Sequence, residues 1–368
     1  MARLDEMKHS VYMTWAKRHA AARFNLANSG MLPCAPADIP IPPGGIEFNG
    51  RDPEGYPPLR EAIAAKYGVT SDRVVPAQGT SGANFLACAT LLERGDEVLV
   101  ERPAYEPLLA VVRYLGAEVK RFERSLEDGY RLDIEAIRGL LSPRVKLVVL
   151  TSPHNPSGVV ADPGDLQRLA GLCAESGAWL MVDEVYRDIL FEDAPPSAAH
   201  LGDRALATGS LTKSYGLGGL RCGWILCEEN LAERMRRMND LMGVMGPRPA
   251  EMLGWSAFRA LPTFEKRTRS LIEPNTRLAH RFIEEHADLL ECVVPTRSVT
   301  LFPRLKSAAS ADLLHERLRA RDTSIVPGRF FEAPQHFRLG FGVSTDDVSA
   351  GLLHLSEVLR ELASCAES

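Results

Sequence analysis

The chain has 368 residues, 45% apolar and 25% charged, which gives ample apolar surface and excludes global disorder. Lys and Arg total 43 against 48 Asp and Glu, so the formal charge is −5, which argues against a nucleic-acid partner. No apolar run reaches the roughly 18 residues that span a bilayer, and the charged first two dozen residues hold no signal-peptide core. The expectation is a cytoplasmic enzyme with no membrane contact, in two or three folding units. Seven cysteines without CxxC spacing point to reduced thiols, and nine histidines without an HExxH pattern give no metal site.

Residues 26–58 are rich in Pro and Gly and read as an extended crossing segment. A helix follows over 57–68, with prolines at its start and Gly68 as its stop. Strand and helix then alternate. Strands are expected at 73–77, 96–101, 118–123, 145–151, 178–183, 205–210 and 222–227, and helices at 81–95, 105–116, 131–141 and 162–177. The run VKLVVLT (145–151) is apolar on both faces, as a covered strand requires. From about 229 the chain becomes helical and Arg-rich, with a long stretch around 262–288. Short strands at 298–305, 323–328 and 336–342 and a last helix near 346–363 read as a smaller α+β part. The expected class is therefore α/β, a mostly parallel sheet sandwiched by helices, over 45–245, with a small domain from 1–44 and 246–368.

Four segments fall at or just after strand ends: QGTSGAN (78–84), TSPHNPSG (151–158), VDEVYRD (182–188) and SLTKSYGLGGLRCGW (210–224). In a doubly wound sheet such ends line one crevice. Lys213, set among Ser, Thr and Gly, is the candidate amine nucleophile, since a lysine with a lowered pKa serves in Schiff-base chemistry. Taken alone it would be an ordinary solvated lysine. Gly79, Thr80 and Ser81 open a helix and read with Ser210 and Arg221 as a phosphate cradle, although QGTSGAN by itself is equally a helix cap. Asp183 ends an apolar strand and needs a cation, either an arginine or a protonated ring nitrogen. Tyr186 and Asn155 could donate to an oxygen on the same ring, and Tyr105 could stack on it, although a turn residue and a core aromatic are the ordinary fates of Asn155 and Tyr105. GLGGLRCG does not complete GxGxxG, so a nicotinamide site is a weak reading.

The set NPSG, DEVY, SLTKSYG and GLRCGW resembles the fold-type I pyridoxal-phosphate aminotransferases, class I/II, and Asn155, Asp183, Lys213, Arg221 and Arg338 run in that family's order. The likeness runs from GYPPLREA to FRLGFG. It implies pyridoxal 5′-phosphate as cofactor, with Lys213 as its Schiff-base lysine and Asp183 on the pyridinium nitrogen. Tyr186 and Asn155 would contact the ring oxygen, and Tyr105 would stack. Gly79, Thr80, Ser81, Ser210 and Arg221 would hold the phosphate. Arg338, Asn155 and Gly30 would face the substrate, an amino acid or 2-oxo acid exchanging its amino group. The resemblance and the Pro/Gly-rich segment together imply a homodimer. The sequence departs from the family at one point: the tyrosine usual about five residues before Gly55 is absent, the place falling near Gly50. Two rivals stand beside transamination. One is another reaction on the same scaffold, such as elimination, decarboxylation or oxidation. The other is a catalytically silent cofactor-binding protein, which a retained Lys213 and Arg338 count against.

Overall fold

The computed structural model describes residues 8–19, 21–307 and 310–366; the first seven residues of the charged N-terminal stretch and the side chain of Cys365 lie outside them. Seven strands make the central sheet: β1 (Val74–Gln78), β2 (Glu97–Arg102), β3 (Glu118–Glu123), β4 (Val145–Thr151), β5 (Trp179–Asp183), β6 (Ala205–Ser210) and β7 (Cys222–Leu226). Their order is β1-β7-β6-β5-β4-β2-β3. All run parallel except β7, which is antiparallel to both β6 and β1.

Period-two patterning gives the sheet two buried faces. Val148, Leu150, Leu180 and Val182 point into one core, with Trp224. Leu147, Val149, Met181 and Ile225 point into the other. Each such side chain contributes about 1.5–3 kcal/mol on burial. Helices α2 (Pro57–Tyr67), α5 (Ile134–Leu140), α6 (Pro163–Ser176) and α8 (Arg248–Arg259) cover the first face; α3 (Gly79–Leu91), α4 (Glu106–Tyr114) and α7 (Glu229–Met242) cover the second. Gly68 ends α2 in the left-handed conformation, as its place after Tyr67 suggested. Helix α3 starts at Gly79, two residues before the expected position, because Gly79 adopts φ +67 and turns the chain into the helix directly.

The antiparallel β7 has a positional consequence. Its first residues pair with the last residues of β1 and β6, Cys222 with Gln78 and Gly223 with Ser210. The loop carrying Lys213 and Arg221 therefore leaves and re-enters the sheet at one edge. Gly223 lies so close to the α3 turn that a Cβ there would sit 2.5 Å from the Gly79 carbonyl carbon.

Helix α9 (Leu261–Glu285) crosses between the cores: Phe264 packs with the sheet, whereas Ile272, Ala279 and Phe282 pack with the C-terminal part. There, β8 (Thr300–Leu301), β9 (Val326–Pro327) and β10 (Phe337–Gly340) form a small antiparallel sheet, flanked by α10 (Ala311–Arg319) and α11 (Thr345–Ala366). The expected strands at 298–305 and 323–328 are each broken into two-residue pieces that join different sheets. A helix not foreseen, α1 (Val11–His19), precedes the extended segment and rests on Tyr105, Phe330 and Phe331.

Candidate active site

Asp183 ends β5, Ser210 ends β6 and Thr151 ends β4; by register Asp183 lies opposite both Thr151 and Thr208. Lys213 follows β6 and is half-buried. Its Nζ donates to Ser29 Oγ at 3.0 Å. Gly30 completes that contact, since a Cβ there would meet Lys213 Cδ at 3.2 Å. Burial lowers the Lys213 ammonium from 10.5 to about 8; the Arg338 charge adds to the fall, Asp183 opposes it and Arg221 adds a little more.

Asp183 is 3% exposed. One oxygen accepts from Asn84 Nδ2 at 2.8 Å and the other from the Val185 N–H at 3.0 Å. Thr208 Oγ1 in turn donates to Asn84 Oδ1 at 2.7 Å, which fixes the amide with its donor side toward Asp183. Burial pushes the carboxyl up to about 6, restrained by the two hydrogen bonds and by Lys213. The arginine that sequence reasoning offered as one possible partner is not there: among the described residues Asp183 is bonded by an amide and a backbone N–H only.

At the opening of α3, Thr80 Oγ1 and Ser210 Oγ lie 2.8 Å apart. Gly79 leaves room for the Arg221 guanidinium, since a Cβ there would stand 2.4 Å from its NH2. Arg221 donates to the Gly218 and Gln78 carbonyls at 3.0 and 3.2 Å and is solvent-exposed, as is Ser81. A helix N-terminus, two hydroxyls and a guanidinium thus lie around the α3 turn, a set of groups suited to an anion.

Arg338, on β10, is fully buried. NH1 donates to Asn155 Oδ1 at 2.9 Å, and NH2 donates to Tyr12 Oη at 2.8 Å and to the Ala27 carbonyl at 3.1 Å. No carboxylate lies within 4.0 Å of it among the described residues, so the internal ion pair such a strand arginine could have formed is absent. Asn155 is held from below, its N–H donating to Thr151 Oγ1 at 2.8 Å, while Thr151 donates to Glu101 at 2.7 Å. Glu101 is paired with the equally buried Arg124 at 2.7 Å.

The Tyr186 hydroxyl is buried beside Ser29, and burial raises its pKa to about 12 against the opposing effects of Arg338 and Ser29. Tyr105 precedes α4 and meets Tyr12 edge-on at 5.7 Å. Sequence reasoning did not single out Ser29, Asn84, Thr208 or Tyr12. Asn84 lay inside a segment already marked; Tyr12 carried no motif. Where the family's usual tyrosine is missing, Gly50 lies against Arg248, whose guanidinium would be 3.0 Å from a Cβ there and is paired with Glu47 and Asp52.

The chain is similar throughout to known proteins. The family model for aminotransferase class I and II matches residues 44–355. Capreomycidine synthase of Streptomyces vinaceus is 34% identical over 305 residues, covering 82% of this chain and 78% of that protein. The arginine–pyruvate transaminase AruH of Pseudomonas aeruginosa is 30% identical over 331 residues, covering 86% and 81%. Among solved structures, a PLP-dependent aminotransferase from Streptococcus suis superposes with a TM-score of 0.89 at 27% identity, covering 96% of this chain and 99% of that one. The PLP-dependent cyclase OrfR superposes with a TM-score of 0.87 at 29% identity, covering 96% and 97%.

Proposed function

The chain belongs to the class I and II aminotransferases, whose cofactor is pyridoxal 5′-phosphate, and on that premise we propose that Lys213 carries the cofactor and Arg338 receives the α-carboxylate of the substrate. Its reaction is amino-group transfer between an amino acid and a 2-oxo acid. One observation carries the assignment. Asp183 and Arg338 are buried and Lys213 is half-buried, and none makes an ion pair within 4.0 Å among the described residues. Unpaired charges withdrawn from water are costly, and a ligand that carries the complementary groups removes the cost.

The residues fit that cofactor. Asp183 would pair with a protonated ring nitrogen, the cation it lacks, and the buried Tyr186 hydroxyl would donate to a ring oxygen. The α3 turn with Gly79, Thr80, Ser81, Ser210 and Arg221 suits its phosphate, and Tyr105 would cover the ring face. When bound, the cofactor supplies an electron sink for negative charge at the substrate Cα. Asp183 keeps the ring-nitrogen proton in place. Arg338, held by Asn155, fixes the carboxylate and so turns the Cα–H bond toward Lys213. Lys213 Nζ, with its pKa lowered to about 8, takes that proton and returns it as base and then acid.

The test is product analysis with the cofactor-loaded enzyme, each of the twenty amino acids and a 2-oxo acid acceptor. One equivalent of new 2-oxo acid must appear per equivalent of acceptor aminated. The likeness to a synthase and a cyclase favours a second reading, in which the same groups serve another reaction at Cα or beyond. Substrate consumption without amination of the acceptor would select it.

A homodimer belongs to the same reading. Phe48 and Leu241 are 81% and 83% exposed, on segments that Arg248 and Arg237 tie together through Glu47, Asp52 and Glu54. Exposed apolar residues grouped in this way suit an interface. A monomeric mass by light scattering at micromolar concentration, with full activity, would overturn it. A two-part organisation is supported by separate apolar cores, with the seam inside α9; α8 and Phe264, which a division of 45–245 against 1–44 with 246–368 puts in the small part, pack with the sheet. Limited proteolysis that failed to separate the two parts would count against it. Cytoplasmic residence is the remaining part of the reading, supported by free thiols at Cys34, Cys88, Cys173, Cys222, Cys227 and Cys292, and cell fractionation tests it.

A further inference from the structure

Helix α1 brings one polar group to the buried floor of the site, the Tyr12 hydroxyl. The helix is short, and its buried residues are Tyr12 and Trp15. Both are held by aromatic contacts: Tyr12 with Tyr105, Phe330 and Phe331 at 5.7, 5.7 and 6.2 Å, and Trp15 with Phe330 at 5.0 Å. At the helix start Ser10 is bonded to Glu106 at the head of α4. Tyr12 is 7% exposed, so packing alone would account for its ring. Packing does not account for its hydroxyl, which accepts from Arg338 NH2 at 2.8 Å.

The donor and acceptor inventory of this contact is unbalanced. Arg338 is fully buried, and its Nε has no partner among the described residues. Its other bonds go to neutral oxygens: Asn155, Tyr12 and the Ala27 carbonyl. The Tyr12 oxygen accepts from Arg338, and its own hydrogen makes no bond among the described residues. A carboxylate arriving at Arg338 would therefore meet two donors at once, the guanidinium and the phenolic O–H beside it.

Resting on the reading of Arg338 given above, we propose that Tyr12 is a substrate-binding residue: its hydroxyl donates to the same α-carboxylate that Arg338 grips. The carboxylate subsite is then made by the two ends of the chain. Tyr12 also holds the guanidinium in place before substrate arrives, at a fully buried position where an arginine without hydrogen bonds would be unfavourable.

The experiment is equilibrium binding by calorimetry to the cofactor-loaded enzyme and its Tyr12→Phe and Arg338→Gln variants. The probes are unreactive monocarboxylates (propionate, hexanoate and 3-phenylpropionate) and the matching amines without a carboxylate. Tyr12→Phe keeps the ring and its packing, so the fold and the visible spectrum should match the parent. Carboxylate binding should weaken roughly tenfold, the scale of one hydrogen bond to a charged group, with amine binding unchanged. An affinity for carboxylates within about twofold of the parent overturns the proposal. So does an equal loss for amines, or a fall in thermal midpoint with carboxylate affinity retained, since either marks a structural hydroxyl. If Arg338→Gln leaves carboxylate binding intact, the assignment of Arg338 itself fails. A loss in Arg338→Gln without one in Tyr12→Phe fails Tyr12 alone.

Discussion

Lys213, Asp183, Ser210 and the α3 turn sit at the ends of adjacent strands, where register places them, whereas Arg338, Asn155 and Tyr12 come from three layers and are up to 326 residues apart in sequence. The first group depends on backbone pairing across one sheet. The second depends on side-chain hydrogen bonds between parts of the molecule that have separate cores. The first arrangement tolerates side-chain loss in its neighbours; the second can be loosened by removing a single polar atom while the fold stays intact.

The largest break is expected at Lys213. Lys213→Ala should lower turnover by at least roughly 10²–10⁴, the range for removing a positioned acid–base group. Noncovalent cofactor binding should persist, because strand ends still form the pocket. Borohydride reduction of the parent enzyme followed by peptide mapping checks the identity of the lysine; a label elsewhere sinks the assignment.

Arg338→Lys tests the other half. It should leave the cofactor spectrum and the fold unchanged, yet weaken amino-acid binding by about 2–4 kcal/mol, because an ammonium cannot reproduce the planar fork. Primary amines without a carboxylate should be nearly indifferent. Loss of cofactor with substrate affinity retained would erase the contrast between the halves.

Thr208→Val sharpens the comparison with the smallest effect. It removes the 2.7 Å bond that orients Asn84 and leaves β6 paired. Cofactor affinity, followed by fluorescence quenching, should fall by about 1 kcal/mol, roughly fivefold. No change would mean that Asn84 keeps its orientation without Thr208.

The same division decides what the sequence discloses. Three strands of the sheet, 118–123, 145–151 and 205–210, have the limits expected from pattern alone. The segments bearing Lys213, Asp183 and Arg221 follow from those strands. Helix α1 escaped because only Tyr12 and Trp15 of its nine residues are buried, too few for a visible stripe, and tertiary contacts hold it. The C-terminal strands were foreseen as longer because apolar residues there serve a core shared with helices, while pairing extends over two to four residues. Asn84, Thr208 and Ser29 are ordinary polar residues in sequence, and their partners are 99, 124 and 184 positions away.

The close approach of β7 to the α3 turn sets how this stretch of sequence can drift. In GLGGLRCG, Gly219 has no atom within 4 Å of a Cβ, so a library randomised there should return many residues. At Gly223 a methyl group would stand 2.6 Å from the Gly79 Cα, inside backbone that cannot move aside. A library at 223 should return glycine alone. Two identical letters four positions apart thus differ in heritability: one records an open loop, the other a wall shared by a strand and the first turn of a helix.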